Sequence, residues 1–160
     1  MVPINPKVLE SLNYGISAEI KSYVFYLEAA KIVATDSFRQ TMLKLAGEEK
    51  GHYQLLERQH HSLITSEQWV SYSDILNRPG LPEINEEMAA VHKGLIAQAR
   101  QAGGEKELLT IALALEEDAH QLFSKAAAAA ADPEEKKTFE FLARFEMAHI
   151  RLIQGMMKSL

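Results

Sequence analysis

Along four long stretches of the chain, apolar residues recur three and four apart, the spacing of one face of a helix. The first stretch opens at Asn5-Pro6, where Asn caps and Pro suits the first helical position. It carries Leu9, Leu12, Ile16, Ile20, Tyr23, Tyr26, Leu27 and Ala30, and predicts a helix over about 6–33. The second opens at the capping cluster Thr35-Asp36-Ser37, carries Met42, Leu45 and Leu56, and predicts a helix over 36–62. His60-His61 falls at its expected end, where charged imidazoles suit the last carbonyls better than a metal would. Gly51, inside this helix, reads as a tolerated glycine or as room for a close neighbour. The third helix spans about 105–131, after a stop at Gly103-Gly104. The fourth spans 133–158: Asp132 caps, Pro133 takes the first position, Glu135 stands as in a capping box, and Phe139, Leu142, Ile153 and Met156 share a face. The alanine run 126–131 reads as close helix packing.

Between the second and third helices, 63–104 is the least regular stretch. A short helix is expected within 66–77, containing Trp69; 78–82 is a Pro/Gly break; and 85–100 returns to helical spacing through Met88, Val91, Leu95 and Ile96. A connection of this length suits a crossover running the length of a bundle. The apolar face of 85–100 is expected to cover the bundle or to meet a second copy. The pattern predicts an all-α fold: one domain over 1–160, an antiparallel four-helix bundle with a long crossover between helices two and three.

Polar residues interrupt these apolar faces near their middles. Glu19 sits between Ile16 and Tyr23, and Glu49 and His52 between Leu45 and Leu56. Glu146 and His149 lie between Leu142 and Ile153. Glu-x-x-His places both side chains on one face of a helix. The pattern occurs four times, at 49/52, 57/60, 117/120 and 146/149. With 18 Glu and 6 His, roughly 0.7 such pairs arise by chance, so the motif alone decides little.

An internal repeat separates the matches. Displacing the chain by 97 residues lays Glu19 on Glu116, Glu49 on Glu146 and His52 on His149. Ile16 then falls on Leu113, Tyr26 on Phe123, Leu45-Ala46 on Leu142-Ala143, and the cap Thr35 on Asp132. Each half is a helical hairpin with one Glu on its first helix and Glu-x-x-His on its second. Glu57/His60 lies off the apolar seam and has no counterpart. On the third helix, the seam through Leu109, Leu113, Glu116, His120 and Phe123 is more apolar than the one through Thr110, Glu117 and Ser124. His120 is therefore expected to face inward beside the site.

Packed as a bundle, these hairpins bring Glu19, Glu49, His52, Glu116, Glu146 and His149 to one level of the core. One Glu from each of two helices and Glu-x-x-His from each of the other two is the ligand set of dinuclear carboxylate bundles. Unpaired charges in an apolar core are too costly to leave alone, and two divalent cations balance four carboxylates. Mixed oxygen and imidazole donors suit two iron ions, or manganese, and do not favour structural zinc.

Composition narrows the function. The chain has no cysteine, which excludes disulfides, zinc–thiolate and iron–sulfur sites and a cysteine nucleophile; no other nucleophile stands out. A net charge of -5 argues against nucleic acid as a partner. The N-terminal residues lack the basic and apolar parts of a signal peptide, and no apolar run approaches the ~18 residues of a membrane span. A cytoplasmic protein without membrane contact is expected.

The chain resembles the rubrerythrin-like branch of the ferritin-like superfamily. The matches are Glu19 followed by Phe25-Tyr26, Glu49-x-x-His52 followed by Leu55-Leu56, Glu116 followed by Leu122-Phe123, and Glu146-x-x-His149 followed by Leu152-Ile153. They cover about 6–62 and 105–158. The resemblance implies that Glu49 and Glu146 bridge two metals, that Glu19 and Glu116 are terminal ligands, and that Tyr26 is the tyrosine the family sets beside its ligands. It also implies reduction of hydrogen peroxide or dioxygen at a diferrous site. Rubrerythrins proper add a four-cysteine iron site, which this chain cannot build, so electrons are expected from an external donor. They also add a Glu on the third helix where this chain has Ala119, which leaves a set closer to the six ligands of bacterioferritins.

Three functions remain open on the sequence: a peroxide- or dioxygen-reducing enzyme, a ferroxidase serving iron storage or detoxification, and a helical scaffold whose metal is structural. A homodimer or higher homo-oligomer is expected.

Overall fold

The computed structural model describes residues 4–160; the reading of the N-terminal segment falls in part on 1–3, outside the described residues. Four long helices carry the fold: α1 (Pro6–Ile32), α2 (Asp36–Ser66), α6 (Glu105–Ala129) and α7 (Pro133–Lys158). Three short ones, α3 (Tyr72–Leu76), α4 (Glu86–Ala90) and α5 (Lys93–Gln101), lie on the crossover. Among the described residues, no helix is long and apolar enough to cross a membrane.

Capping chemistry sets the hairpin ends. The Asn5 side chain accepts from the Lys7 backbone N–H at 3.0 Å, and Asp132 accepts from those of Glu134 and Glu135 at 2.8 and 3.3 Å. At the α1–α2 turn, Thr35 makes no side-chain cap bond. Arg39 reaches back instead and donates to the carbonyls of Ala30 and Val33, at 3.3 and 3.0 Å, which the end of α1 leaves without helical partners.

α1 packs on α2 and α6 on α7, so the two halves of the repeat form two hairpins that face each other. α1 also lies close against α6. Gly15 makes that approach possible: a Cβ there would stand 2.9 Å from a ring carbon of Phe123. On the opposite face, α2 and α7 meet through longer side chains, His52 against Phe145 and Glu48 against His149. Two apolar clusters fill the bundle interior. One gathers Phe25, Tyr26, Met42, Leu45, Leu109 and Ile153; the other gathers Leu12, Leu55, Leu56, Phe123, Phe139 and Leu142. The polar positions of all four long helices fall in the layer between them.

Several local expectations are corrected. α2 continues to Ser66 because Leu63 is buried in the second cluster and Glu67, in the left-handed region at φ 57°, closes the helix with its N–H on the Leu63 carbonyl. His60 and His61 therefore lie inside α2, not at its end. Trp69 precedes the short helix α3 and sets its ring edge-on to Phe139 at 6.0 Å. The 85–100 stretch is two helices, with Asn85 capping α4 and the chain restarting at His92 for α5. Gly51 has open space, not a close neighbour, beyond its Cα. α6 stops at Ala129, and within the alanine run only Ala127 is buried. That run faces solvent more than it packs.

The crossover is held at both ends. Fully buried Gln59 pairs with the Val70 backbone in both directions, Nε2 to the carbonyl at 2.5 Å and Oε1 from the N–H at 3.1 Å, and donates to Thr138 Oγ1 at 3.1 Å. Farther along, Ile84, Met88, Ala89 and Ile96 cover Ile20, Val24 and Tyr53, and Arg100 donates to buried Glu28 at 2.7 Å. The apolar face of 85–100 thus lies on the α1–α2 hairpin. Gln59→Leu removes the Val70 partners and is expected to lower the unfolding free energy by ~2 kcal/mol. Urea unfolding measures this, and an unchanged midpoint would remove Gln59 as the anchor of the crossover.

Candidate metal centre

Glu19, Glu49, Glu116 and Glu146 are each no more than 1% exposed, and His52 and His149 no more than 4%. Each stands where a long helix passes between the two apolar clusters. Both imidazoles turn Nδ1 toward the bundle axis. His52 Nδ1 lies 3.5 Å from Glu19 Oε2, 3.4 Å from Glu49 Oε2 and 3.3 Å from Glu146 Oε1. His149 Nδ1 lies 2.8 Å from Glu49 Oε1, 3.3 Å from Glu116 Oε1 and 3.4 Å from Glu146 Oε2. Two groups of convergent donors result: Glu19, Glu49, His52 and Glu146, and Glu49, Glu116, Glu146 and His149. Glu49 and Glu146 belong to both, each offering one oxygen to either imidazole.

These donors are not satisfied by one another. Both oxygens of Glu19 and of Glu49, Oε2 of Glu116 and of Glu146, and His149 Nδ1 are buried without a hydrogen-bond partner. His149 Nδ1 has Glu49 Oε1 at 2.8 Å, but not in the alignment of a hydrogen bond. Seven orphaned polar atoms converging in a dry layer are costly unless something positive binds them. Carboxylate oxygens and imidazole nitrogens are the donors that iron and manganese accept. The residues therefore fit metal binding.

The electrostatics describe the same deficit. Burial, reinforced by the charges of Glu146 and Glu49, holds the Glu19 carboxyl well above the usual range. Burial also raises Glu116, with Glu146 adding to it and His149 opposing, to about 7. Burial and Glu49 push Glu146 upward too, but the neighbouring Glu116, His149 and His52 outweigh them and bring it to about 2. For His52, burial disfavours the charged ring, and the carboxylates of Glu146 and Glu49 overcome it, to about 9. His149 is raised further for the same reason, its partners being Glu116, Glu146, Glu48 and Glu49.

Tyr26, expected near the site, donates its buried hydroxyl to Glu116 Oε1 at 2.5 Å, reaching from one hairpin to the other. Burial and the neighbouring carboxylates hold that phenol well above its ordinary range. His120 is corrected. It is half-buried, its Nε2 lies 3.4 Å from Ser124 Oγ, and among the described residues neither donor group includes it. The buried seam of α6 runs through Ala112, Glu116, Ala119 and Phe123, and the position after Ala119 is turned away by one helical step. Glu57 and Glu117 also lie outside both groups, and Glu117 is exposed.

Two features escape the sequence pattern. Glu48 Oε2 accepts from His149 Nε2 at 2.5 Å, and this bond holds the Glu48 carboxyl below its ordinary range. The Phe145 ring stands edge-on to His52 at 4.9 Å, with Phe141 behind it. The 97-residue repeat lays Glu48 on Phe145, so neither has an echo to reveal it. The only signal at hand was the doubled acid Glu48-Glu49.

The Rubrerythrin family model matches residues 10–157, a span that contains all six residues. The chain belongs to the rubrerythrin family. Among solved structures, "Hypothetical Protein Pfu-1136390-001" from Pyrococcus furiosus is similar in fold, with a TM-score of 0.67 at 22% identity over 94% of this chain and 88% of that one. No curated protein matches. Against the rubrerythrin pattern, the position of the additional Glu on the third helix is occupied by buried Ala119, which packs in the second apolar cluster. The two donor groups of this rubrerythrin-family chain comprise six side chains.

Proposed function

We propose that the protein is a dinuclear non-haem iron redox enzyme that reduces hydrogen peroxide or dioxygen, re-reduced by an external electron donor. The observation that carries this reading is the pair of donor groups sharing Glu49 and Glu146 and rich in orphaned oxygens. Glu19 and His52 would hold one ion, Glu116 and His149 the other, and Glu49 and Glu146 would span both. A diferrous pair supplies two electrons, the number that converts hydrogen peroxide and two protons into two waters. The side chains do the rest. The two His would present Nδ1 to the metals, and the carboxylates would balance their charge. The Tyr26 hydroxyl holds a proton one hydrogen bond from Glu116. Phe141 and Phe145 keep water from the His52 side.

Ala119 favours a second reading. Without a seventh carboxylate the ligand set is that of a ferroxidase, which would oxidise iron for storage or detoxification. Anaerobic loading with Fe(II), then rapid mixing with peroxide or with oxygen, separates the two. Oxidation of two Fe(II) per chain, at least ~10-fold faster with peroxide, is expected of the enzyme. Turnover with oxygen and growth of a ferric mineral would establish the ferroxidase instead. Two ions bound but oxidised by neither would leave a structural metal, and fewer than two would sink both redox readings.

A further inference from the structure

The repeat makes the two halves of the centre equivalent in their ligands, but not in what surrounds them. The donor group of Glu116 and His149 has two outer hydrogen bonds: Tyr26 Oη to Glu116 Oε1 at 2.5 Å, and His149 Nε2 to Glu48 Oε2 at 2.5 Å. The 97-residue shift replaces Tyr26 by Phe123 and Glu48 by Phe145. In the group of Glu19 and His52, aromatic rings thus occupy both equivalent positions. Neither Glu19 oxygen has a partner, and the His52 ring is bounded by Phe145 at 4.9 Å and Phe141 at 6.2 Å.

We propose that Glu48 is a positioning residue that makes the two metal sites unequal, so that the Glu116/His149 site fills first and holds its ion more tightly than the Glu19/His52 site. The reasoning rests on the dinuclear reading above. An imidazole binds a metal through one nitrogen, and a carboxylate on the other nitrogen fixes the tautomer, orients the ring and makes it a stronger donor. Glu48 does this for His149: with the proton on Nε2 held by its carboxylate, Nδ1 is left to face the donor cluster. Tyr26 orients Glu116 in the same site. His52 has no carboxylate in the place of Glu48 and must order its ring against hydrocarbon. Glu48 lies on α2 and His149 on α7, so the bond also spans the face where those helices meet only through long side chains. Its side chain is about one-third exposed, 31%, so an isosteric change there leaves the core intact.

Anaerobic titration of the metal-free protein with Co(II), followed by calorimetry and by visible absorption, tests this. The wild type is expected to take up two ions in two steps at least ~10-fold apart in affinity, with different cobalt spectra. His52→Ala should remove the weaker step and keep the tighter one. Glu48→Gln should weaken the tighter step by about 10–100-fold, the usual effect of losing such a partner, shift its cobalt spectrum and leave the weaker step within ~2-fold. Tyr26→Phe should weaken the same step. A single step for two ions in the wild type would overturn the proposal, as would Glu48→Gln weakening both steps alike or neither. Uptake of fewer than two ions by the wild type is a separate result, and it removes the dinuclear reading itself.

Discussion

Glu49→Leu is expected to abolish binding of the metal pair. Glu49 offers Oε2 toward His52 and Oε1 toward His149, so its loss damages both donor groups at once. No other residue except Glu146 stands in both. Elemental analysis after iron loading checks this. Glu57→Ala, outside both groups, should retain two ions. Two ions retained by Glu49→Leu would count against the site.

The metal-free protein should also become less stable as pH rises from about 5 to 9. The folded state holds protons that the unfolded chain releases. Glu116 is raised from 4.5 to about 7: its cost to the folded state is absent below pH 4.5 and complete above about 7. His52 is raised from 6.5 to about 9: its contribution is whole below pH 6.5 and lost as pH climbs through about 9. Both slopes have one sign, and each amounts to the order of 3 kcal/mol. Glu146 works the other way, since it is depressed to about 2, but only in acid, where its contribution is lost as pH falls from 4.5 through that value. Metal ions displace the same protons, so their affinity should rise with pH and their stabilisation should be largest at the alkaline end. Melting curves at pH 5, 7 and 9, with chelator and with Mn(II), measure both trends. A metal-free protein more stable at pH 9 than at pH 5 would contradict the proton count of the site.

Much of the architecture was legible because helices write their contacts locally. Period and caps locate α1, α2, α6 and α7, and the start and end of α7 coincide with the expected 133–158. Ends were less legible where a tertiary contact decides them. Leu63 prolongs α2 by being buried, and nothing in 63–66 announces that. The alanine run has the highest helix propensity in the chain, but propensity does not say which face will be covered, and α6 ends before the run does. His120 shows the limit of seam reading on a single helix. The apolar seam through Leu113, Glu116 and His120 lies one step from the buried one, which runs through Ala112, Glu116 and Ala119.

The sequence by itself determined the six polar positions that converge in the bundle: Glu19, Glu49, His52, Glu116, Glu146 and His149. It could do so because a duplicated hairpin repeats its interior polar residues at one fixed offset, and that offset separates them from chance Glu-x-x-His pairs. The tertiary structure alone decided how those residues are shared and what stands behind them. Glu49 and Glu146 serve both donor groups because their helices, α2 and α7, face each other across the layer where both imidazoles point inward. Tyr26 meets Glu116, and Glu48 meets His149, across gaps of 90 and 101 residues. Contacts between helices follow no period along either one, and these two fall where the repeat has Phe123 and Phe145. The internal symmetry that exposes the six convergent donors conceals Tyr26 and Glu48, which contact only one of the two donor groups.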